Sequence, residues 1–235
     1  MGQKLTAPKI ALKYKIPLIF YGENPAEYGN NNEDNYDPKM DTSYFTADKS
    51  EIDNFYLSGM SKKDLINNKI MALKDFNYYS PVDRDQIIKN KIEIHYMSYY
   101  KNWDPQENFF YATTNCGFLP AEQRTVGSYS KYSSIDDKID MFHYYTTCIK
   151  FGIGRATYDA SQEIRSNKIT REEGISLVKQ FDVEFPERYF KHFLSYTNLS
   201  EGEFFSCVDS FRPDHLWEKK DNEWHLKQAV WHEKK

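Results

Sequence analysis

Lys150-Phe151-Gly152-Ile153-Gly154-Arg155-Ala156-Thr157 joins two helical patterns through a glycine-flanked turn, and its reading decides how the second half of the chain is organised. Upstream, Ile135, Ile139, Phe142 and Ile149 recur at helical spacing and form an apolar stripe. Asp136, Asp140, His143, Thr147 and Lys150 are left on the opposite face. Downstream, Ala156, Ala160 and Ile164 make a small-residue stripe that lets a helix opening at Arg155 pack closely. A helix N-terminus offers unpaired N–H groups and the positive end of a dipole, so with Lys150 and Arg155 beside it a phosphate is the natural guest. The same glycine pair also fits a plain C-cap and linker.

Working outward, Asp104-Pro105-Gln106-Glu107 reads as an N-cap with proline at the first helical position, and Thr170-Arg171-Glu172-Glu173 and Ser200-Glu201-Gly202-Glu203 read as capping boxes. Pro186 starts a further helix with Phe190, Phe193 and Leu194 inward, so residues 104–235 form a helical region. Ser61-Lys62-Lys63-Asp64 opens a short helix. Residues 1–103 read as an α/β part with an insertion at the polar run Asn30 to Asn35. Ile16 to Tyr21 has the pattern of a buried parallel strand, and Lys91 to Trp103 is the second strand candidate, with Ile92, Ile94, Tyr96 and Ser98 alternating. Ligands of open α/β sheets gather at the carboxyl ends of strands, which puts Gly22, Glu23 and Asn24 where a substrate sits. Two parallel strands leave edges and faces uncovered, an expectation of a separate N-terminal half or an obligate partner.

The chain of 235 residues is 40% hydrophobic and 17% aromatic, so the expected core is built from rings and is partly polar. A net charge of -4 argues against a general nucleic-acid binder. Cys116, Cys148 and Cys207 are widely spaced with no C-x-x-C, which disfavours a disulfide framework and a cysteine zinc site. No membrane span and no signal-peptide core is read, so the expected location is cytoplasmic.

The words Lys131-Tyr132-Ser133-Ser134-Ile135-Asp136-Asp137-Lys138, Phe142-His143-Tyr144-Tyr145, Lys150 to Ala156 and Thr170 to Gly174, in this order, resemble the C-terminal half of the N-acetyl sugar amidotransferase family. Ile16 to Asn24, followed by Glu27-Tyr28-Gly29, and Trp103-Asp104-Pro105 to Gly117-Phe118 resemble earlier parts of the same family. That family belongs to the PP-loop ATP pyrophosphatases. The resemblance implies the C-terminal part of a PP-loop (adenine nucleotide alpha hydrolase-like) Rossmann-type domain with a mainly helical extension. The family's Ser-Gly-Gly-Lys-Asp-Ser loop has no counterpart, because no Gly-Gly pair occurs in the chain. A C-terminal portion, a split subunit or a truncated product is therefore expected.

The implied reaction converts a sugar acetamido group to acetamidino with ATP and ammonia, in bacterial lipopolysaccharide, O-antigen or nonulosonate biosynthesis. ATP and Mg2+ are the implied cofactors. The implied partners are a glutaminase/cyclase-type ammonia-supplying pair and an N-acetylated sugar or nucleotide sugar. On this resemblance Lys131, Lys150 and Arg155 are candidates for pyrophosphate contact, and Gly22, Glu23, Asn24, Glu27 and Tyr28 for the sugar and adenylate side. Asp136, Asp137 and Asp140 are candidates for magnesium, but the metal signal is weak and a solvated helix face is the stronger reading of Asp140 and His143. His143 is a candidate to orient substrate or shuttle a proton. The alternative is a non-catalytic sugar-binding or docking module that has lost the ATP loop.

Overall fold

The computed structural model describes residues 2–22 and 37–232, which fall into two compact units dividing between Trp103 and Asp104. The first contains α1 (Gly2–Tyr14), β1 (Leu18–Tyr21), β2 (Thr46–Ala47), α2 (Lys49–Asp53), β3 (Tyr56–Leu57), β4 (Met60–Ser61), α3 (Lys62–Asn67), β5 (Val82–Asp83), α4 (Arg84–Lys89), β6 (Glu93–Tyr96) and α5 (Met97–Tyr100). The second contains α6 (Pro105–Asn115), α7 (Asp140–Phe151), α8 (Arg155–Arg165), α9 (Arg171–Phe181), α10 (Phe190–Thr197), α11 (Glu201–Ser210), β7 (Trp217–Lys220) and β8 (Glu223–Leu226). Helices and small sheets are mixed, and every sheet among the described residues has two strands.

In the first unit β1 and β6 pair in parallel, Leu18 opposite Glu93 and Tyr21 opposite Tyr96. The far edge of β6 is engaged by the segment before it in space, where the Met40 N–H donates to the Ile94 carbonyl at 2.8 Å and the Tyr96 N–H to the Pro38 carbonyl at 2.9 Å. One face of the pair is core: Ile94 and Tyr96 pack with Leu5, Ala11, Phe45, Val82, Ile87 and Ile92. The other face is open. Leu18 and Phe20 are 44% and 46% exposed, so β1 is parallel as expected but not buried. A strand is buried on both faces only when elements cover both. The second expected strand also ends early. It stops at Tyr96, and Met97–Tyr100 turns into α5.

In the second unit the local capping signals act as read. Asp104 accepts from the Glu107 N–H at 3.0 Å with Pro105 at N1, and Thr170 and Ser200 close capping boxes with Glu173 and Glu203. Helix α7 starts only at Asp140. Ile135 and Ile139 therefore precede it, and Ile135 is 45% exposed. The apolar face of α7 is instead Met141, Phe142, Tyr145, Cys148 and Ile149. Phe142, Tyr145, Phe190, Phe204 and Val208 form an aromatic core, each fully buried ring contributing about 2–3 kcal/mol. The region is not wholly helical, because β7 and β8 form an antiparallel hairpin. Asp221 (φ 49°) and Asn222 (φ 66°) make its two-residue turn, both in the left-handed conformation that type I′ hairpins require. Trp217 and Leu226 carry the hairpin into the core, and the Trp217 indole N–H donates to the Ile149 carbonyl at 2.7 Å. Cys116, Cys148 and Cys207 are all free thiols. Among the described residues no helix is long and apolar enough to cross a membrane.

Candidate functional site

The turn between α7 and α8 is fixed by two glycines with different duties. Gly152 ends α7 in the left-handed conformation (φ 75°), and its N–H donates to the Cys148 carbonyl at 2.8 Å. Gly154 is the N-cap of α8 and gives space: a Cβ there would stand 2.6 Å from the Asp182 carbonyl oxygen. Asp182, the residue that ends α9, reaches across to the first turn of α8. Its Oδ2 accepts the Gly154 N–H and the Thr157 hydroxyl, both at 2.7 Å, and its Oδ1 accepts the Thr157 N–H at 2.9 Å. The expected anion site at this N-terminus is thus corrected. Its donors already hold an anion, and that anion is a buried carboxylate of the chain itself. Burial pushes the Asp182 carboxyl above the usual carboxylate value, against the hydrogen bonds from Thr157, Gly154 and Ala156.

Arg155 points into a polar network. Its Nε donates to Asp159 Oδ1 at 2.8 Å, Nη2 to the Ser133 hydroxyl at 3.3 Å and Nη1 to the Tyr144 hydroxyl at 3.4 Å. Asp159 also accepts from the Ser128 hydroxyl, and the Ser134 hydroxyl donates to Asp140 Oδ2 at 2.7 Å while bonding to Tyr144. Three of the sequence words therefore meet here and pin the irregular stretch before α7 onto α7 and α8. Buried charges need partners of this kind, and the Arg155–Asp159 pair supplies one. Burial and the charges of Glu163 and Asp159 push the Tyr132 hydroxyl up to about 12 and raise Tyr129 as well. Both phenols stay neutral donors, and Tyr129 donates to Glu163 Oε2 at 3.1 Å.

The remaining candidates lie apart. Lys131 Nζ donates to the Glu122 carbonyl at 3.0 Å, and the Lys150 ammonium lies over the rings of Phe151 and Phe211. Lys131, Lys150 and Arg155 thus occupy three separate settings. Asp137 accepts from the Ile139 N–H at 2.6 Å just before α7, Asp136 is exposed and Asp140 is engaged by Ser134. Among the described residues no three His, Cys, Asp or Glu side chains gather to hold a metal ion. His143 is exposed on α7, and Gly22 follows β1 directly. Glu23, Asn24, Glu27 and Tyr28 lie outside the described residues. With the α8 N-terminus filled by Asp182, the described residues do not fit a cradle for ATP and magnesium.

A cleft of about 580 Å3 beside the same turn is lined by Gly152, Thr157, Arg171, Asp182, Gln228, Trp231 and His232. An indole, an amide, a hydroxyl and a guanidinium converge there. Arg171 and Gln228 have no side-chain partner among the described residues and are free to bind a guest. Thr157 and Arg171 belong to words singled out in the sequence. Gln228, Trp231 and His232 follow the hairpin without any motif that marks them in the sequence.

A comparison with curated proteins finds no match. Residues 126–230 match the family described as LPS biosynthesis protein WbpG-like, C-terminal domain, a segment that contains the Arg155 network, the Gly152–Gly154 turn and the cleft as far as Gln228. This match supports the resemblance to the C-terminal portion of the sugar amidotransferase-like family, carried by residues 126–230.

Proposed function

We propose that the chain acts in the biosynthesis of lipopolysaccharide sugars, as the C-terminal portion of an N-acetyl sugar amidotransferase, and that the cleft beside Gly152 receives the acetamido sugar. The observation that carries this reading is the family match over residues 126–230, which include Gly152, Thr157, Arg171, Asp182 and Gln228 of the cleft, with Trp231 and His232 following directly. A pyranose has an apolar C–H face and a rim of hydroxyls. The Trp231 indole offers a surface for the first; Gln228 offers a donor and an acceptor, and the Thr157 hydroxyl an acceptor, for the second. Arg171 is placed for an anionic substituent such as a phosphate or carboxylate, which its fork binds through two parallel hydrogen bonds. Asp182 already accepts three hydrogen bonds, so its part is to hold the start of α8 in place beside the cleft.

In the complete reaction ATP would activate the amide oxygen as a leaving group. No phosphate loop of the Ser-Gly-Gly-Lys-Asp-Ser type occurs in these 235 residues, so in this proposal nucleotide and magnesium are held by residues outside the described set. The parallel β1–β6 pair packed on α1 is consistent with the first unit being part of a PP-loop Rossmann-type domain. Ammonia would come from a glutaminase/cyclase-type pair, because none of the chain's thiols resembles a glutaminase nucleophile. Cys148 in particular is buried and its thiol is pushed up to about 12. The missing Gly-Gly pair also favours a second reading, a sugar-binding or docking module without chemistry of its own.

Calorimetric titration with N-acetylated nucleotide sugars tests the shared part of both readings. Binding is expected, with Trp231→Ala and Arg171→Ala each weakening it at least about tenfold at unchanged thermal stability. Absence of binding, or indifference to both substitutions, overturns the assignment of the cleft. ATP–pyrophosphate exchange on the chain, with and without an added PP-loop half, then separates amidotransferase from module: exchange restored by the added half supports the first reading.

A further inference from the structure

Helices α7, α10 and α11 enclose a second cleft of about 440 Å3 that shares no lining residue with the Gly152 cleft. Its walls are mainly apolar, from Ile149, Phe193, Leu199, Phe204, Val208 and Phe211, while His143, Thr146 and Thr147 of α7 add polar groups. At one end Lys150, Phe151 and Phe211 also bound a neighbouring cleft of about 480 Å3, which Arg212 and His215 line. Each volume is in the range of small-molecule sites.

Two cations mark the junction. Lys150 is exposed, has no carboxylate partner among the described residues, and keeps its ammonium 5.3 Å and 5.7 Å from the ring centres of Phe151 and Phe211. Arg212 is different: its side chain is only 7% exposed, bonded to Asp209 through Nε at 2.9 Å and stacked 4.7 Å from the Trp217 ring and 5.2 Å from the Trp224 ring. Its Nη1 is nevertheless buried with no hydrogen-bond acceptor among the described residues. Buried donors are nearly always paired, so an orphaned guanidinium nitrogen beside a cleft calls for an acceptor from elsewhere.

We propose that the joined clefts bind a small amphiphilic anion, with its alkyl chain between α7, α10 and α11 and its phosphate or carboxylate head at Lys150 and Arg212. An alkyl chain suits the four phenylalanine rings and aliphatic side chains that make up most of these walls. A phosphate or carboxylate suits the far end because Asp209, bonded to Arg212, is the one carboxylate set against the two cations, and Lys150 has none among the described residues.

The test is calorimetric titration of the 235-residue chain with octyl phosphate below its micelle concentration, with inorganic phosphate, and with octanol. Octyl phosphate is expected to bind at one site, and each of the other two at least about tenfold more weakly. Lys150→Gln should weaken octyl phosphate about tenfold and leave octanol unchanged. Leu199→Ser should weaken both octyl compounds and leave inorganic phosphate unchanged, with near-ultraviolet dichroism reporting that both variants remain folded. No binding of octyl phosphate overturns the proposal. So does equal affinity for inorganic phosphate, which would mean that the chain is not seated, or equal affinity for octanol with no response to Lys150→Gln.

Discussion

Asp182 shows how much one side chain can settle. It ends α9, fills the first turn of α8 and lines the cleft beside Gly152. Asp182→Ala leaves two N–H groups and a hydroxyl without their acceptor in a buried place, and the expected loss is about 3 kcal/mol of unfolding free energy in a urea titration. Nothing in the sequence reveals this role, because Asp182 and Gly154 are 28 residues apart and capping signals are legible only when cap and helix are contiguous. The Glu184 carboxylate nearby has a different effect. Burial pushes it up, but the Arg124 guanidinium, bonded at 2.5 and 2.6 Å, and the Gly127 N–H at 3.0 Å outweigh burial and hold it below its ordinary value. A depressed folded value means stability that is present above the unfolded value and lost as pH falls through the folded one. Acid titration of the folded protein should therefore show a stability loss beginning below about pH 4.3, and Glu184→Gln should flatten that part of the curve.

Among the elements, the contrast between two glycines separates packing from propensity. Gly154→Ala forces a methyl against the Asp182 backbone carbonyl, which cannot swing away as a side chain end would. The expected cost is about 2 kcal/mol or more. Gly202 lies inside α11 with nothing near its missing Cβ, so Gly202→Ala should raise stability by about 0.5–1 kcal/mol. Chemical denaturation of the pair reads both signs in one experiment. The hairpin offers a third: Asn222→Gly relieves a left-handed residue (φ 66°) and should stabilise by a few tenths of a kcal/mol, roughly the difference between asparagine and glycine in such turns. Helix ends were readable because Asp104, Thr170 and Ser200 act within three residues of themselves. The hairpin was not. Trp217, Lys219, Trp224 and Leu226 alternate too briefly to outweigh the helical pattern before them, and Asp221-Asn222 is a weaker turn signal than a glycine pair. The α7 start is hidden for a related reason: Ile135 and Ile139 keep helical spacing, but Asp137 accepts the Ile139 N–H and turns the backbone just before the helix.

For the molecule as a whole, the two units differ in how complete they are. The aromatic core of the second unit is built entirely from residues of that unit, including the hairpin that closes it. Residues 104–235 expressed alone should therefore keep a cooperative thermal transition and the near-ultraviolet dichroism of Trp217 and Trp224. A broad, non-cooperative melt would show that the core depends on the first unit. In the first unit the open face with Leu18 and Phe20 retains the expectation of a cover, as a parallel pair in water is unusual. The cleft could be found only in three dimensions, since Thr157, Arg171 and Trp231 come from a helix start, another helix start and the chain after a hairpin.

Cys148 lends the second unit a clock. Its sulfur is fully enclosed on the inner face of α7 and resists ionisation, whereas Cys116 and Cys207 are exposed. A thiol reagent at neutral pH should mark two sites promptly and the third only as often as the unit opens, so the slow phase of labelling counts openings directly. With Cys116 and Cys207 replaced by serine, one unmarked sulfur would report, molecule by molecule, how long this unit stays shut.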